Sequence, residues 1–364
     1  MSKILFVTFG FYPEQHGVAE VAYRQAVGLH ALGHEVYVLT RPCVGRREMP
    51  FEIMNFEGNK ADYQAFLTSW VGDIILFHGW HTWVSDWAVP ILKNIKAQKV
   101  MVSHGTTAHL RYAGLKGWAR WLLQRPQAWQ FERQMTDFDH FVFLSDHPDP
   151  VRMTDVVIAQ KRGFQHVSYL PNGASLTDYP VQHTFEKPSD KKMLLCVSNF
   201  IREKGQRELI AWFLDMQRPD AVLVLVGSEF NTFSAQLQKQ AGEALNQTVF
   251  FYEQLPKQTL MDAYRVADVL VSATYTEVLP LMLLDAMAAG VPFLCRNVGA
   301  VGTLEGGEIF TQKSDFQRQL HELLTNDALR QQLGEAGKKS VQSKYNWPTI
   351  TQQYDQLIQK LLHR

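Results

Sequence analysis

Short apolar runs alternate with longer amphipathic segments along the whole chain. In the first half the runs include "KILFVTF", "EVYVLT", "DIILFHG", "KVMVSHG" and "HFVFLS", and in the second half they include "MLLCVSN", "AVLVLVGS", "TVFFYE", "DVLVSA" and "VPFLC". Continuous apolar strands separated by helices are typical of parallel sheets that helices cover on both faces. The pattern therefore predicts two doubly wound α/β halves.

The alternation pauses in "LPNGASLTDYPVQHTFEKPSDKK", a stretch rich in proline, glycine and charge. Such a composition is typical of a domain boundary, and we place the boundary between residues 1–172 and 173–346. The last segment, "WPTITQQYDQLIQKLLHR", predicts a closing helix with one buried face. The apolar positions of that face are Ile350, Tyr354, Leu357, Ile358, Leu361 and Leu362.

Composition narrows the class of protein. The 364 residues are 46% apolar, which is enough for two cores. Lysine plus arginine equals aspartate plus glutamate at 36 each, so we expect no nucleic-acid partner. Two of the three cysteines, Cys196 and Cys295, lie in apolar runs, which indicates buried thiols in a reducing compartment. Because the N-terminus reads as a strand and no long apolar run follows, we expect a cytoplasmic protein.

The segment "YTEVLPLMLLDAMAAG" suggests a phosphate site. Pro280 suits the first position of a helix that runs from Leu281 to about Ala289 and stops at Gly290. Leu279, before the proline, has no side chain that could cap this helix. The helix start therefore offers uncapped backbone N–H groups and a positive dipole end, to which an anion can bind.

Two carboxylates flank this helix start. Asp285 falls in the second turn among leucine, methionine and alanine, where an unpaired charge would cost several kcal/mol. Glu277 lies on the loop that precedes the helix. Two interpretations stay open from these residues alone. Either the acids bind two parts of one ligand whose phosphates lie at the helix start, or Glu277 is a solvated loop acid and Asp285 caps some other backbone.

The same segment resembles a family signature. "EVLPLMLLD" followed by "AMAAGVP" is similar to the E-x7-E and A-M-A-x-G-x-P pattern of retaining glycosyltransferases with the GT-B fold, in the large family-four group that uses nucleotide sugars. Upstream, "LLCVSNFIREKGQRELIAWF" resembles the family's G-R-x-x-x-x-K-G segment, with Lys204 and Gly205 in register. "FYPEQHGVAEVAYRQ" resembles its Y-P-x-x-G-G loop, with His16 and Gly17 where two glycines usually stand. The likeness covers nearly the whole chain.

The resemblance implies a fold and a reaction. The fold is GT-B, an α/β architecture of two doubly wound Rossmann-like domains facing a central cleft. Residues 1–172 would bind the acceptor, completed by the returning C-terminal helix 347–364, and residues 173–346 would bind the donor. The reaction would move a sugar from a UDP- or GDP-type nucleotide sugar to a glycan or glycolipid acceptor, with retention and without a metal or other cofactor. By analogy, the setting is surface polysaccharide or lipopolysaccharide biosynthesis.

The resemblance also implies roles for residues. Lys204 would stabilise charge on the departing β-phosphate, while Glu277 would hold donor-sugar hydroxyls and Asp285 ribose hydroxyls. His104, in "SHG", matches the family histidine beside the donor sugar, and the loop at Gly17 would approach the diphosphate. The expected catalytic residues are His104, Lys204 and Glu277. The expected donor-binding residues are Gly17, Asn199, Lys204, Leu279, Pro280, Leu281 and Asp285. The acceptor-side candidates are His16, His78 and Trp80.

Two residues depart from the family pattern. Asn199 stands where the family normally has the arginine that partners Lys204, and Asp285 is one methylene shorter than the usual glutamate. Loss of the arginine would weaken stabilisation of the leaving group by about 1 to 3 kcal/mol, unless Arg202 or another base reaches the phosphate. The departures favour a degenerate, non-catalytic nucleotide-sugar-binding subunit as one alternative. A nucleotide-sugar epimerase or hydrolase of the same fold is the other.

Metal motifs are weak in this chain. The D-x-D element at Asp137 and Asp139 is typical of metal-dependent transferases of another fold, but it precedes the strand "HFVFLS", and we interpret it as structural. His78 and His81 in "HGWH" lack a third ligand at a zinc spacing. We therefore expect no metal.

One segment, "YAGLKGWARWLLQRPQAWQFERQ", combines tryptophans with basic side chains. They are Lys116, Trp118, Arg120, Trp121, Arg125, Trp129 and Arg133. Two interpretations stay open. The segment rests peripherally on the inner face of the cell membrane, where it meets a lipid-linked acceptor, or it packs its tryptophans on the sheet as an ordinary amphipathic helix.

Overall fold

The chain forms two compact units. The structure is a computed structural model that describes residues 1–46, 48–106, 118–119, 122–123, 131–147 and 154–363. The first unit consists of Met1–Asn172 and Trp347–Arg364, and the second consists of Gly173–Asn346. Each unit is built around one parallel sheet.

The first unit contains a sheet whose described strands are β1 (Lys3–Thr8), β2 (Glu35–Thr40), β3 (Glu52–Asn55), β4 (Ile74–His78), β5 (Gln98–Ser103), β6 (His140–Phe143) and β7 (Val167–Tyr169). They are parallel and lie in the order β3-β2-β1-β4-β5-β6-β7. The described helices before the second unit include α1 (Gly17–Ala31), α2 (Lys60–Ser69), α3 (Trp83–Asp86) and α4 (Thr154–Arg162), with a 3-10 helix at Val89–Asn94.

The second unit, all of whose residues are described, contains β8 (Lys192–Val197), β9 (Ala221–Gly227), β10 (Val249–Glu253), β11 (Val269–Ser272), β12 (Phe293–Arg296) and β13 (Gly307–Phe310). These strands are parallel in the order β10-β9-β8-β11-β12-β13. Its helices are α5 (Gln206–Asp215), α6 (Thr232–Ala241), α7 (Lys257–Val266), α8 (Leu281–Ala289), α9 (Lys313–Thr325) and α10 (Asp327–Lys344). Its 3-10 helices are Leu176–Asp178, Arg202–Lys204, Gly242–Ala244 and Val301–Thr303.

The strands predicted from the apolar runs are all present. β3, β7 and β13 were not predicted, and a physical reason is visible in each. They lie at the outer edges of the two sheets, they have three or four residues, and most of their side chains are partly exposed. A short edge strand needs no continuous apolar run, so the pattern that marks buried strands does not reveal it.

The closing helix belongs to the first unit. Helix α11 (Trp347–Leu362) packs against α1 and buries the predicted face, including Ile350, Tyr354 and Ile358. Asp355, on the same helix, accepts the Nε2–H of His34 at 2.9 Å, since His34 Nδ1 accepts the Ser2 N–H, and this bond ties the C-terminal segment to the loop before β2. Within the described residues, no helix is long and apolar enough to cross a membrane.

The strand order of each sheet reverses at one point. In the first unit β1 lies between β2 and β4, and in the second β8 lies between β9 and β11. At such switch points the loops that leave neighbouring strands diverge to opposite faces, which leaves a crevice for ligands at the carboxyl ends. The crevices are therefore expected beside the segments that follow β1 and β4 and those that follow β8 and β11.

Candidate functional site

Helix α8 begins directly after the loop that leaves β11. It starts at Leu281 and ends at Ala289, followed by Gly290 in the left-handed region with φ 75°. These bounds were predicted, with one correction: Pro280 is the N-cap residue, with ψ 128°, and precedes the first helical position. No side chain of the described residues caps this start. The helix start therefore presents backbone N–H groups and the positive end of the dipole.

Lys204 and Glu277 are in direct contact. The Lys204 Nζ lies 2.5 Å from Glu277 Oε1, and both side chains are mostly shielded, with 22% and 17% of their surface exposed. The lysine lies at the end of the 3-10 helix after β8, and the acid lies on the loop between β11 and α8. The two strands on either side of the switch point thus deliver a cation and an anion to one place.

Backbone contacts hold the two loops together. The Tyr275 N–H donates to the Glu203 carbonyl at 2.8 Å, one residue before the lysine. Gly205, with φ 67°, lies against the chain of Ala273, and a Cβ on the glycine would come within 2.1 Å of the Ala273 carbonyl oxygen. Any larger residue at Gly205 would push the Lys204 loop away from the strand. Backbone contacts between the two loops therefore keep Lys204 close to Glu277.

A second glycine brings the loop after β12 to the same place. Gly299 has φ 54°, and a Cβ there would lie 2.1 Å from the Glu277 carbonyl oxygen. The next residue, Ala300, donates its N–H to the Val278 carbonyl at 2.8 Å. The loop after β12 thus packs on the backbone of Glu277 and Val278.

Asp285 has backbone partners within its own unit. Its side chain is 4% exposed, and its Oδ1 accepts the N–H groups of Ser175 at 2.6 Å and Leu176 at 2.9 Å. These donors begin the 3-10 helix Leu176–Asp178, whose first N–H groups have no acceptor inside the helix. Asp285 Oδ1 therefore has hydrogen-bond partners without a ligand, as expected if Asp285 caps a backbone segment elsewhere in the chain. Its binding of ribose hydroxyls stays a prediction.

Asn199 supplies its main chain to the turn after β8. Its carbonyl accepts from Gln206 Nε2 at 2.8 Å and from the Ile201 N–H at 2.9 Å, while the residue itself is exposed. Arg202, three residues on, is also exposed. The turn therefore carries a neutral amide where the resemblance expects a second cation, and Arg202 is the nearest arginine along the chain.

The loop after β1 in the first unit is organised by His16. Its ring is the N-cap of α1, since Nδ1 accepts the Ala19 N–H at 3.3 Å, and its Nε2 lies 3.2 Å from Glu14 Oε2. The ring stacks on Phe9, with centroids 5.2 Å apart. Gly17 follows as the first residue of α1. His16 thus caps the start of α1 with its side chain, which a glycine at this position could not do.

His78 and His104 form a pair at the ends of β4 and β5. His78 Nδ1 and His104 Nε2 lie 3.2 Å apart, so one ring donates and the other accepts. Burial lowers the pKa of His104 to about 4, helped by the neighbouring His16, and burial lowers the pKa of His78 well below its ordinary value. Both imidazoles are therefore neutral at pH 7.

Two residues beside this pair, Asp155 and Ser103, were missed by the sequence analysis. Asp155, near the start of α4, is fully buried and accepts from the Trp80 Nε1–H at 3.0 Å and from the Ser103 hydroxyl. Trp80 is itself only 7% exposed, so its indole packs inside the unit and donates to a buried partner. An acid among apolar residues of a helix, here "TDVVIA", is the kind of signal that singled out Asp285 and could have found Asp155.

The comparison with known families decides the class of the second unit. The family model described as glycosyl transferases group 1 matches residues 182–340, which include Lys204, Glu277 and Asp285. The second unit is a glycosyl transferases group 1 domain. Its Lys204 and Glu277 meet at the switch point of this glycosyltransferase domain.

Curated relatives are glycosyltransferases, and each alignment is partial. A GDP-mannose-dependent monoacylated alpha-(1-6)-phosphatidylinositol monomannoside mannosyltransferase of Corynebacterium glutamicum is 24% identical over 62% of this chain and 63% of its own length. The capsular polysaccharide biosynthesis glycosyltransferase CapM of Staphylococcus aureus is 24% identical over 48% of this chain and 47% of its own length. This chain thus aligns with about half to two thirds of these relatives.

Solved structures extend the likeness to the whole chain. Sucrose-phosphate synthase from Thermosynechococcus elongatus superposes with a TM-score of 0.81 at 18% identity, covering 100% of both chains. At this identity the likeness concerns the fold. The GT-B fold expected from the sequence is confirmed, with parallel sheets of seven and six strands in the described residues.

Within the glycosyltransferase domain, the expected donor-binding residues differ in the solvent exposure of their side chains. Leu279 is 4% exposed and Pro280 is also buried, so their side chains belong to the core and any contact with a donor would come from the backbone. Lys204 and Glu277 keep partly exposed polar ends. The structure brings Lys204, Glu277 and the start of α8 together and places Asp285 one turn deeper in the helix.

The D-x-D element has lysine partners. Asp139 accepts the Lys99 N–H at 2.8 Å and pairs with the Lys99 ammonium at 2.7 Å, where β5 begins. Asp137 pairs with Lys93 at 3.4 Å. The described residues contain no group of three side chains that could hold a metal ion. Asp139 therefore has a structural role, in which its carboxylate binds the backbone and the side chain of Lys99 at the start of β5.

The basic aromatic segment is described only in part. Trp118 is 48% exposed and Arg133 lies on a described helical stretch. The other five residues of the prediction, Lys116, Arg120, Trp121, Arg125 and Trp129, lie outside the described residues. The two interpretations of this segment stay predictions.

Proposed function

We propose that the protein is a retaining glycosyltransferase that moves a sugar from a UDP- or GDP-type nucleotide sugar to a glycan or glycolipid acceptor. The observation that carries the proposal is the 2.5 Å contact of Lys204 and Glu277, beside the uncapped start of α8 and inside the residues matched by the family model. The setting is the biosynthesis of a surface polysaccharide or glycolipid, which the activities named for the two relatives support.

The charges at this switch point suit departure of a nucleoside diphosphate. Negative charge develops on the β-phosphate as the bond to the sugar breaks, and a preorganised cation with backbone N–H groups stabilises it. Lys204 supplies the cation and the first turn of α8 supplies the N–H groups. Glu277 holds Lys204 in place and offers its carboxylate to hydroxyls of the donor sugar. Because Asn199 is neutral, Lys204 carries more of the stabilisation than it would beside an arginine.

The first unit supplies neutral groups for sugar hydroxyls. His104, with a pKa of about 4, is an uncharged imidazole at pH 7 that can donate or accept one hydrogen bond. We assign His104 to the donor sugar and His16 to the acceptor side, while His78, expected on the acceptor side from the sequence, is fully buried and contacts His104 instead. The mechanism proposed is independent of metal, and the protein is proposed to act in the cytoplasm, where a peripheral membrane contact would give access to lipid-linked acceptors.

Nucleotide titration followed by product analysis tests the proposal. We expect UDP or GDP to bind with a dissociation constant below the millimolar range, and a labelled donor to yield a glycoside whose anomeric configuration matches the donor. Inversion of configuration would exclude the retaining mechanism. Free sugar as the only product would favour a hydrolase, and an epimerised nucleotide sugar would favour an epimerase. Absence of nucleotide binding at millimolar concentration would contradict every enzyme assignment.

A non-catalytic nucleotide-sugar-binding subunit is the second candidate. Two observations favour it: Asn199 removes one expected cation, and Asp285 Oδ1 is already bonded to Ser175 and Leu176. The same titration separates the candidates. Nucleotide binding without turnover of any labelled donor, across acceptors that include lipid-linked glycans, would support the binding subunit.

A further inference from the structure

Asp155 is a fully buried carboxylate with well-placed donors. Its Oδ1 accepts the Val156 N–H at 3.0 Å, and its Oδ2 accepts both the Trp80 Nε1–H at 3.0 Å and the Ser103 hydroxyl. Burial raises the pKa of this carboxyl, and the hydrogen bonds act against that rise. Burying such a group costs several kcal/mol unless its partners are well arranged. Asp155 is therefore held in the interior by three donors, two of which belong to side chains at the ends of β4 and β5.

One set of bonds fixes the chain on both sides of His104. Ser103 is the last residue of β5, and its hydroxyl donates to Asp155 while its oxygen accepts the Gly105 N–H at 3.0 Å. The Ser103 Oγ thus links the residues before and after His104, because it bonds to Asp155 and to the Gly105 N–H. Because the Ser103 proton is committed to Asp155, the hydroxyl is oriented to accept from Gly105. The carboxylate sets the direction in which the His104 backbone leaves the strand.

The other set fixes the partner of His104. Trp80 follows β4 by two residues, so its bond to Asp155 anchors the chain just beyond His78. His78 Nδ1 in turn lies 3.2 Å from His104 Nε2. The bonds form a closed circuit from Asp155 through Ser103 and His104 to His78, and back through Trp80. One carboxylate therefore restrains both strand ends that carry the histidine pair.

We propose that Asp155 is a positioning residue that holds the His104 imidazole in its reactive orientation through Ser103 and Trp80. The proposal rests on the proposed function, in which His104 contacts the donor sugar. Small displacements of a positioned group lower turnover without preventing binding. Since Asp155 acts on the first unit, loss of its carboxylate should lower kcat and leave nucleotide binding by the second unit unchanged.

Asp155→Asn is the sharpest variant because it keeps the shape of the side chain. An amide has one acceptor oxygen and one donor NH2. If the NH2 takes the Oδ2 position it faces the Trp80 N–H, and if it takes the Oδ1 position it faces the Val156 N–H. Either orientation sets a donor against a donor, so the network cannot be rebuilt by a flip. The matched control is Asp139→Asn, which alters a carboxylate at the opposite end of β5.

Two measurements test the proposal. In steady-state kinetics, Asp155→Asn should lower kcat about tenfold with the Kd for UDP or GDP within twofold of wild type, and Asp139→Asn should keep kcat within twofold. In heteronuclear NMR, the ring resonances of His104, assigned with a His104→Gln variant, should shift in Asp155→Asn and in Ser103→Ala but not in Asp139→Asn. Wild-type kcat and wild-type His104 resonances in Asp155→Asn would overturn the proposal.

Controls separate positioning from loss of fold. If Asp155→Asn does not fold, Ser103→Ala carries the test, because it removes the link and leaves the carboxylate with Trp80 and Val156. A kcat that falls only with the folded fraction, with His104 resonances unshifted, would also overturn the proposal. If the wild-type protein binds no nucleotide and shows no turnover, the proposed function fails, while the NMR comparison still decides whether Asp155 positions His104.

Discussion

The two units of this molecule pair different kinds of side chain at the carboxyl ends of their strands. In the second unit a lysine and a carboxylate, Lys204 and Glu277, meet across 2.5 Å and keep their charges partly exposed. In the first unit His78 and His104 meet across 3.2 Å, and burial lowers the pKa of both. A charged pair suits the phosphates of a donor, while neutral rings suit sugar hydroxyls. The same topology thus presents two chemistries, and substitutions at each pair test whether both are needed.

The largest effect is expected at the charged pair. Lys204→Ala and Glu277→Ala should each lower kcat at least a hundredfold, because each removes one half of the site at which leaving-group charge develops. Steady-state kinetics at saturating donor measure the effect. The matched control is Lys313→Ala, which breaks a pair with Asp215 of 2.6 Å on the same unit, where both side chains are about half exposed. Turnover of Lys204→Ala within threefold of the control would contradict the assignment.

Asp285 is expected to affect stability before activity. Asp285→Ala leaves the Ser175 and Leu176 N–H groups without their acceptor, which should lower the free energy of unfolding by about 2 to 4 kcal/mol. Urea unfolding measures the change, with Asp327→Ala as the control, since that carboxylate is 81% exposed. Equal losses in the two variants would show that the buried bonds are unimportant.

Nucleotide affinity sharpens the same comparison. Asp285→Asn keeps a carbonyl oxygen that can accept from Ser175 and Leu176, so it should unfold less easily than Asp285→Ala. If Asp285 also binds ribose, Asp285→Asn should lower the free energy of nucleotide binding by more than it lowers the free energy of unfolding. An unchanged Kd in a folded Asp285→Asn protein would contradict the ribose assignment.

The sequence predicts much of this architecture for identifiable reasons. Buried parallel strands are continuous apolar runs, so their positions can be read from the chain, whereas the short edge strands cannot. The pairing of Lys204 with Glu277, 73 residues apart, follows from the family motifs and could not be derived from periodicity alone. The partners of Asp285 lie 109 and 110 residues away, and those of Asp155 lie 52 and 75 residues away. Only tertiary structure tells which backbone or side chain satisfies a buried acid.

The neutral pair predicts how stability depends on pH. In the unfolded chain His104 takes up a proton near its ordinary pKa of about 6.5, but in the folded chain only near 4. Acidification from pH 7 to 5 therefore favours the unfolded state, and stability is lost as the pH falls below about 6.5. His104→Gln should reduce the loss between pH 7 and 5 by about 1 to 2 kcal/mol. Urea unfolding at both pH values checks this, with the exposed His147 changed to Gln as the control.

The smallest effect is expected at the D-x-D element, far along β5 from the histidine pair. Asp139→Ala removes the acceptor of the Lys99 N–H and the partner of its ammonium, which are partly exposed, so we expect about 1 kcal/mol lower stability. Turnover should stay within threefold of wild type, because Asp139 caps the start of β5 while His104 follows its end. Kinetics with and without added manganese measure this. A large loss of turnover that manganese restores would overturn the metal-independent mechanism and would move the chemistry from the charged pair at Lys204 and Glu277 to the D-x-D carboxylates.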